Sequence, residues 1–179
     1  ERKPRYFGFG TKYSSTDGTA VNAYWGHRNL FGGAETLRID GQVSWFGGEP
    51  DAVPDADPFG YVLKATFTKP GIYTVDDDFL DEVAFLREVT DAYVRDAVTV
   101  NAGVKRQISD ALSVQVGVDF EQAYVEDTDG KRQDFVAGLP IDVVYDTTDS
   151  LLDPTRGIRS AARLEPFAFL GEAGAGPVL

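Results

Sequence analysis

Apolar and polar side chains alternate without a break over residues 36–45. The apolar positions are Leu37, Ile39, Gly41, Val43 and Trp45. The polar positions between them are Arg38, Asp40, Gln42 and Ser44. Because successive side chains of a β-strand point to opposite faces, this pattern predicts a strand with one apolar and one polar face. Residues 19–28 alternate in the same way, and the Gly32-Gly33 pair between the two stretches can adopt positive φ. The two stretches therefore predict a hairpin of amphipathic strands.

The same alternation recurs along the rest of the chain and predicts about nine strands joined in sequence. They cover residues 6–13, 19–28, 36–46, 61–68, 83–89, 96–107, 112–120, 135–145 and 158–167. Turn-forming stretches rich in Gly, Pro, Asp and Ser separate them. The fifth is the least regular, because Leu86 interrupts its polar face and a short helix competes there. The pattern indicates an all-β antiparallel meander.

Strand length bears on whether the apolar face meets a protein core or lipid. Several predicted strands have about ten residues, which suits a tilted bilayer crossing better than the mean soluble strand of about five or six. Aromatic residues cluster near strand ends, as in the interfacial girdles of membrane barrels. They are Tyr6, Phe7, Trp45, Phe46, Tyr61, Phe120, Tyr145 and Phe167. The pattern favours a transmembrane β-barrel; a soluble β-sandwich, whose strands also alternate, stays open as an alternative.

Composition excludes several classes of site and of protein. The chain has 179 residues and a formal net charge of −12, which argues against a nucleic-acid-binding surface. It contains no cysteine, so disulfides and thiolate metal sites are excluded. It contains no methionine, and we interpret it as a trimmed or mature segment. No apolar run approaches the length of about 18 residues that a membrane helix needs.

Candidate chemistry is sparse, and we predict no catalytic, cofactor or metal site. His27 is the single histidine and has no evident catalytic partners. Three acidic groups are candidates for calcium but do not match the spacing of an EF-hand loop, and solvated loop charge explains them better. They are Asp55 with Asp57, Asp76 to Asp78, and Asp127 with Asp129. Asp119 and Glu121 share a strand face, as the paired acids of a glycosidase could, but a polar lumen explains them, with Lys105 and Arg106 offsetting their charge.

Two segments of the chain resemble a known family. The first consists of two stretches, GFGTKYSSTDG beginning at Gly8 and WGHRNLFGGAETL beginning at Trp25. The second is YDTTDSLLDPTRGIR, which begins at Tyr145. Both are similar to the barrel of the bacterial surface antigen family, which includes the outer-membrane assembly factors BamA and TamA and relatives in two-partner secretion. The spacing of these motifs is closer to that of TamA-like members than to that of BamA. The motif residues are Asn29, Leu30, Phe31 and Gly32 in the first turn, and Asp149, Asp153, Pro154, Thr155, Arg156 and Gly157 in the second. For the second set we expect a structural turn in which side chains hold backbone groups.

The resemblance implies an outer-membrane barrel of sixteen strands preceded by periplasmic POTRA domains. The chain corresponds to the N-terminal half of that barrel, and the later RGF/RGY motif is missing. We therefore expect residues 1–5 to be a linker from an absent upstream domain and residues 6–179 to be a partial barrel domain. A partial barrel has free strand edges, which must be satisfied in lipid, so edge-to-edge pairing of two copies is one expectation.

The resemblance also implies a non-enzymatic function in the bacterial outer membrane, the insertion or secretion of β-rich clients through a lateral gate. The gate strand is the first one, which templates an incoming client strand by β-augmentation. Its residues are Phe7, Gly8, Phe9, Gly10, Thr11, Lys12 and Tyr13. Two interpretations of Gly8 and Gly10 stay open. The glycines weaken the packing of a strand that must open, or they only relieve crowding inside the barrel.

The implied topology places residues 14–18, 47–58, 90–96 and 126–132 outside the cell. Residues 29–35, 69–78, 107–111 and 146–157 then face the periplasm. The implied partners are outer-membrane lipid or detergent, unfolded barrel or autotransporter clients, and periplasmic proteins that act through POTRA domains. A passive porin and a soluble β-sandwich binding module are the competing functions.

Overall fold

Eleven antiparallel β-strands form a single sheet in the computed structural model, which describes residues 3–14, 18–48, 50–150 and 152–170. They are β1 Arg5–Ser14, β2 Gly18–Arg28, β3 Thr36–Trp45, β4 Phe59–Pro70, β5 Asp77–Val89, β6 Tyr93–Ser109, β7 Leu112–Asp127, β8 Gly130–Gly138, β9 Ile141–Asp146, β10 Arg159–Leu164 and β11 Phe167–Phe169. The predicted all-β antiparallel meander is confirmed. Within these residues no helix is suited to crossing a membrane.

Strands that follow each other in sequence are neighbours in the sheet from β1 to β7. β7 has 16 residues and pairs with two strands, β9 over its first part and β8 over its last part. β10 pairs with β9, and β11 pairs with β8. Among the described residues the sheet is open, with β1 at one edge and β10 and β11 at the other.

Proline divides each of the last two predicted strands. The stretch 135–145 becomes β8 and β9, interrupted at Leu139 and Pro140, and the stretch 158–167 is interrupted at Glu165 and Pro166. Proline has no N–H to donate to a ladder, so regular pairing stops there. The two breaks face each other, because Leu139 N–H donates to the Pro166 carbonyl at 2.9 Å. The nine predicted strands thus become eleven segments without a change in their order.

Charged residues extend several strands beyond their predicted ends. The predicted loop 126–132 is wrong, because β7 runs to Asp127 and β8 begins at Gly130. Cross-strand ion pairs, Glu126 with Lys131 at 3.1 Å and Asp127 with Arg132, hold this polar hairpin together. Apolar alternation does not detect a strand that is continued by charged pairs.

β5 is also longer than predicted, because it begins at Asp77 and not at residue 83, and it is strand throughout. Leu86, which interrupts the polar pattern, packs against a small apolar cluster of Ala97, Ala123 and Val125. That cluster lies on the polar face of the sheet, so an apolar side chain at position 86 fits its surroundings.

The register gathers the apolar side chains on one side, which we call the apolar face. One cross-strand row on it consists of Phe7, Trp25, Ile39, Ala65, Val83, Val100, Phe120 and Ala137. This face is open to the surroundings: Phe7 is 81% exposed and Phe9 is 84% exposed. No helix or second sheet in the described part of the chain covers it. A face of this kind fits lipid and does not fit a two-layer soluble sandwich.

The opposite side, the polar face, carries a network of ion pairs. Arg38 binds Asp40 at 2.7 Å, and Lys64 lies 3.4 Å from Glu82 on the next strand. Further along the sheet, Arg95 pairs with Glu121. A charged, hydrogen-bonded surface of this type suits a water-filled barrel interior.

Two ion pairs on the apolar face bracket a band of apolar side chains on β5 and β6. Arg87 donates to Asp96 at 2.8 Å, and Arg106 donates to Asp77 at 2.8 Å. Asp77 and Arg87 lie ten residues apart on β5, and so do Asp96 and Arg106 on β6. Ten residues at about 3.3 Å each, tilted by about 40°, span about 25 Å along a membrane normal, which is the height of the apolar band of a membrane barrel. On β5 the one acidic exception inside the band is Asp81.

The connections alternate between two ends of the sheet. We call the end with the β1–β2, β3–β4, β5–β6 and β7–β8 connections the upper rim. The lower rim carries the β2–β3, β4–β5, β6–β7 and β9–β10 connections.

The two faces of β6 predict opposite responses to an added charge. We expect Val100→Lys, in the middle of the apolar band, to lower the free energy of unfolding in lipid vesicles by about 2–4 kcal/mol. Asn101→Lys, the next residue and on the polar face, is the matched control and is expected to have little effect. Urea titration of protein folded into vesicles measures both, and equal losses would contradict a lipid-facing Val100.

Candidate functional site

The free side of β1 is the principal candidate site. β1 pairs along its whole length with β2, from Arg5 opposite His27 to Ser14 opposite Gly18. No strand in the described ranges pairs with its other side. All of the predicted gate residues, Phe7 to Tyr13, therefore lie on one edge strand of the sheet.

The alternation of hydrogen bonds along the β1–β2 ladder shows which residues of β1 direct their backbone groups to the free edge. Arg28 N–H donates to the Pro4 carbonyl at 2.7 Å, so Pro4 and Arg28 form a hydrogen-bonded pair. Because such pairs alternate along an antiparallel ladder, even-numbered residues of β1 bond to β2. The odd-numbered residues direct N–H and C=O groups to the free edge. They are Arg5, Phe7, Phe9, Thr11 and Tyr13.

Tyrosine rings cover the glycines of β1 and β2 on the polar face. A Cβ at Gly8 would lie 2.6 Å from the ring of Tyr24, and a Cβ at Gly26 would lie 2.2 Å from the ring of Tyr6. Gly8 lies directly opposite Tyr24, and Tyr6 directly opposite Gly26. The glycines therefore create the space that these rings fill, the arrangement known as aromatic rescue. Gly10 is different, because its Cβ would meet only the Asn22 side chain, at 3.0 Å.

Arginine side chains lie on the same two rings. The guanidinium of Arg28 lies 4.5 Å from the ring centroid of Tyr6, and that of Arg38 lies 4.2 Å from the centroid of Tyr24. Such cation–π contacts add attraction to the packing of the rings. Arg38 is in turn fixed by its hydrogen bonds to Asp40. The polar face of β1 is thus supported by side chains of β2 and β3.

The first motif turn, Asn29 to Gly32, is built on backbone conformation. Asn29 and Gly32 have positive φ of 64° and 98°. The second positive value expected for the glycine pair is found at Ala34 and not at Gly33. Asn29 stabilises the turn by accepting a hydrogen bond from Ala34 N–H at 2.9 Å. Leu30 N–H donates to the Glu35 carbonyl at 3.0 Å, and the Phe31 side chain is exposed.

Glu35 is a structural residue of this turn that the sequence did not single out. Its side chain is buried, and its carboxylate accepts hydrogen bonds from Gly33 N–H at 2.9 Å and Phe31 N–H at 3.2 Å. Its own backbone N–H and then those of Gly33 and Phe31 hold the pKa of Glu35 below its ordinary value. A glutamate immediately before a strand carries no sequence signal for this role, since the bonds depend on the turn having formed.

Asp149 organises the second motif turn. Its carboxylate accepts hydrogen bonds from the Thr155 hydroxyl at 2.6 Å, Thr155 N–H at 2.9 Å and Arg156 N–H at 3.1 Å. Gly157 has φ of 97°, and a Cβ there would lie 2.2 Å from the Thr147 carbonyl. Asp153 N–H donates to the Ser150 hydroxyl at 3.2 Å, and Pro154 directly precedes Thr155. The motif thus holds backbone groups across the turn.

Four of the other acidic candidates have partners in the sheet or its turns. Asp57 accepts a hydrogen bond from Phe59 N–H, and Asp77 binds Arg106. Glu121 pairs with Arg95, and Asp119 lies 3.8 Å from Arg163. The prediction that Lys105 and Arg106 offset Asp119 and Glu121 is therefore wrong, because the pairing partners come from other positions of the register. No group of three metal-binding side chains occurs in the ranges that the structure describes.

The contact between Gly8 and Tyr24 predicts energetic coupling. We expect Gly8→Ala to destabilise the barrel by about 1–3 kcal/mol, because the added methyl group overpacks against the ring. In the Tyr24→Ala background the same change should cost much less. A double-mutant cycle by urea unfolding measures the coupling energy, and additive effects would contradict the contact. Gly10→Ala is the matched control, since only a flexible side chain opposes it.

The turn at Asp149 predicts a pH-dependent opening of the β9–β10 connection. The Thr155 hydroxyl, followed by the N–H groups of Arg156 and Thr155, holds the pKa of Asp149 below its ordinary value. The ionised carboxylate therefore stabilises the turn above the usual carboxyl pKa of about 4, and this contribution is lost as the pH falls through the lowered pKa. We expect Asp149→Ala to speed hydrogen exchange of the Thr155 and Arg156 amides several-fold at neutral pH. Asp153→Ala is the control and should leave that exchange unchanged.

Comparison with known proteins places this architecture in a family. Residues 29–175 match the model of the Omp85 superfamily domain. The fold matches a crystal structure of BamA from Haemophilus ducreyi lacking POTRA domains 1–3, with a TM-score of 0.69 and 16% sequence identity. The alignment covers 98% of this chain and 35% of the BamA chain, so this chain spans about a third of that structure. No curated protein matches the chain in sequence.

The family model covers most of the open sheet, including both motif turns. It matches from Asn29, at the start of the first motif, through the described end of β11. The open sheet, its apolar face and these turns together agree with the family's outer-membrane barrel. The chain belongs to the Omp85 superfamily.

Proposed function

We propose that this chain forms the gate side of a bacterial outer-membrane barrel that inserts or secretes β-rich client proteins. β1 is the strand that pairs with a client, and no chemical reaction is involved. The observation that carries this proposal is the edge of β1, where the odd-numbered residues direct their backbone groups away from β2. An unpaired row of N–H and C=O groups templates an added strand.

The side chains at this edge suit a client that arrives within the membrane. Phe7, Phe9 and Tyr13 are about four-fifths exposed and lie on the apolar face. A client strand that pairs with β1 would continue that face with its own lipid-facing residues. Because Omp85 members include assembly factors, the upper rim is expected to face the cell exterior and the lower rim the periplasm, where POTRA-bound partners would act.

The glycines of β1 act differently from simple weak points. Tyr24 covers Gly8 and is held by Arg38, so the β1–β2 pair is reinforced on the polar face. We therefore propose that β1 stays paired with β2 and opens on its other side. Gating then consists of exchange at the free edge, with β1 and β2 moving as one hairpin.

Proline substitution at neighbouring positions of β1 tests the proposal. Thr11→Pro removes an N–H from the free edge, and we expect client pairing to weaken by about 1 kcal/mol or more, roughly fivefold, while the barrel still folds. Gly10→Pro removes an N–H that bonds to β2, and we expect it to destabilise the hairpin. Thr11→Val controls for the loss of the hydroxyl group.

Photocross-linking in the full-length protein supplies the readout. A photoreactive residue at position 7 should capture an assembling barrel client in the Thr11→Val protein and capture much less in the Thr11→Pro protein. The same residue at position 39, in the same cross-strand row but inside the sheet, should capture none. Equal capture at positions 7 and 39, or voltage-stable conductance without any client capture, would favour a passive channel instead.

A further inference from the structure

Glycine lies beside a tyrosine ring at two places on the polar face of the β1–β2 hairpin. Three glycines of this hairpin have ordinary strand conformation and lie on that face, namely Gly8, Gly10 and Gly26. The ring of Tyr24 covers Gly8. The ring of Tyr6 covers Gly26, and the centroids of the two rings are 6.1 Å apart. Gly10 is the one of these three glycines that no ring in the described part of the chain covers.

The neighbours of Gly10 leave space over it on the polar face. A Cβ at this position would lie 3.0 Å from Oδ1 of Asn22 and 3.7 Å from the Cγ and Nδ2 atoms of the same side chain, and these are the nearest atoms. Asn22 is the residue directly opposite on β2. On the other side of Gly10 no strand pairs with β1 within the described ranges. The polar face is therefore open at Gly10, next to the free edge.

The hydrogen bonds of β1 determine how an added strand would meet Gly10. Even-numbered residues of β1 bond to β2, so Gly10 directs its N–H and C=O away from the free edge. In an antiparallel strand added at that edge, the residue opposite Gly10 therefore belongs to a non-hydrogen-bonded pair. The Cα atoms of such a pair are only about 4.5 Å apart, and the side chains are correspondingly close. The facing side chain of the added strand would thus lie directly against Gly10.

We propose that a client strand covers Gly10 with an aromatic side chain, as Tyr24 covers Gly8. This ring lies on the side of the client strand that continues the polar face. A glycine inside a strand has no side chain to pack, and an aromatic residue on the neighbouring strand replaces that missing contact. The ring also lies near Tyr24, because Gly8 and Gly10 are successive positions on the same face.

The inference rests on the proposed pairing of a client with β1 and adds a side-chain requirement to it. Backbone pairing at a sheet edge is available to a client of any sequence, whereas side chains at alternate positions give specificity. Gly10 therefore selects among client strands at one position of the register.

Synthetic peptides of ten residues, the length of β1, test this requirement in the full-length protein. Apolar and polar residues alternate in each peptide, and one central position on the polar side is tyrosine, leucine or alanine. A photoreactive residue at position 7 measures capture as a function of peptide concentration. We expect half-maximal capture of the tyrosine peptide at about fivefold lower concentration than that of the alanine peptide, as for one cross-strand aromatic contact. Leucine should give a smaller gain, and a gain equal to that of tyrosine would overturn the aromatic assignment.

Gly10→Ala tests whether this glycine is the position that the ring covers. The added methyl group occupies the space of the ring, so we expect most of the preference for tyrosine to be lost while capture of the alanine peptide changes little. Gly41→Ala is the matched control, because Gly41 lies inside the sheet on β3 and a Cβ there would have no neighbour closer than 4.0 Å. This variant should keep the full preference.

Two results would overturn the inference and leave client pairing intact. One is equal capture of the tyrosine and alanine peptides by the unmodified protein, and the other is a tyrosine preference that survives Gly10→Ala. If no peptide is captured at position 7, the pairing proposed for β1 fails together with the inference.

Discussion

Backbone hydrogen bonds between neighbouring strands run in continuous register from β1 to β6, and on to β7 except beside the tight turn at Ser109. Because side chains alternate with a period of two, this register decides which residues face lipid and which face water. A slip of one residue would transfer Val98 and Val100 to the polar face and bring Thr99 and Asn101 to the apolar face. The cross-strand ion pairs on both faces, such as Lys64 with Glu82 and Arg87 with Asp96, depend on the same register.

The same ladder leaves the backbone groups on one side of β1 unpaired among the described residues. Each strand from β2 to β6 forms backbone hydrogen bonds with a neighbour on both sides. The second side of β1 has no partner in the described residues. An edge of this kind is costly in lipid, where water cannot replace the missing hydrogen bonds. In the function proposed above, this edge receives a client strand, which binds through backbone groups whatever its sequence. The exposed aromatic side chains of Phe7 and Phe9 extend the apolar face up to that edge.

The two faces of this sheet have different roles. Tyr24 and Arg38 fix the polar face of the β1–β2 hairpin, and the motif turn at Asp149 fixes the connection between β9 and β10. On the apolar face the two ion pairs bracket a band as tall as the apolar band of a membrane barrel. The side chains of the polar face thus hold the strands together, while the apolar face supplies the lipid-facing surface.

Local alternation in the sequence determined where most strands lie and which face their residues take, because those properties depend on neighbours one or two positions away. Turn residues such as Asn29, Asp149 and Gly157 were recognisable for the same reason. Only the tertiary structure decided features that join distant segments. Ion pairs between strands extended β7 and β8 into a stretch predicted to be a loop. The breaks at Pro140 and Pro166 lie next to each other, although the two prolines are far apart in the sequence. Tyr24 covered Gly8, and Ala52 of the β3–β4 connection bonded to Asp91 of the β5–β6 turn, because register and long-range packing bring together residues that the linear pattern keeps apart.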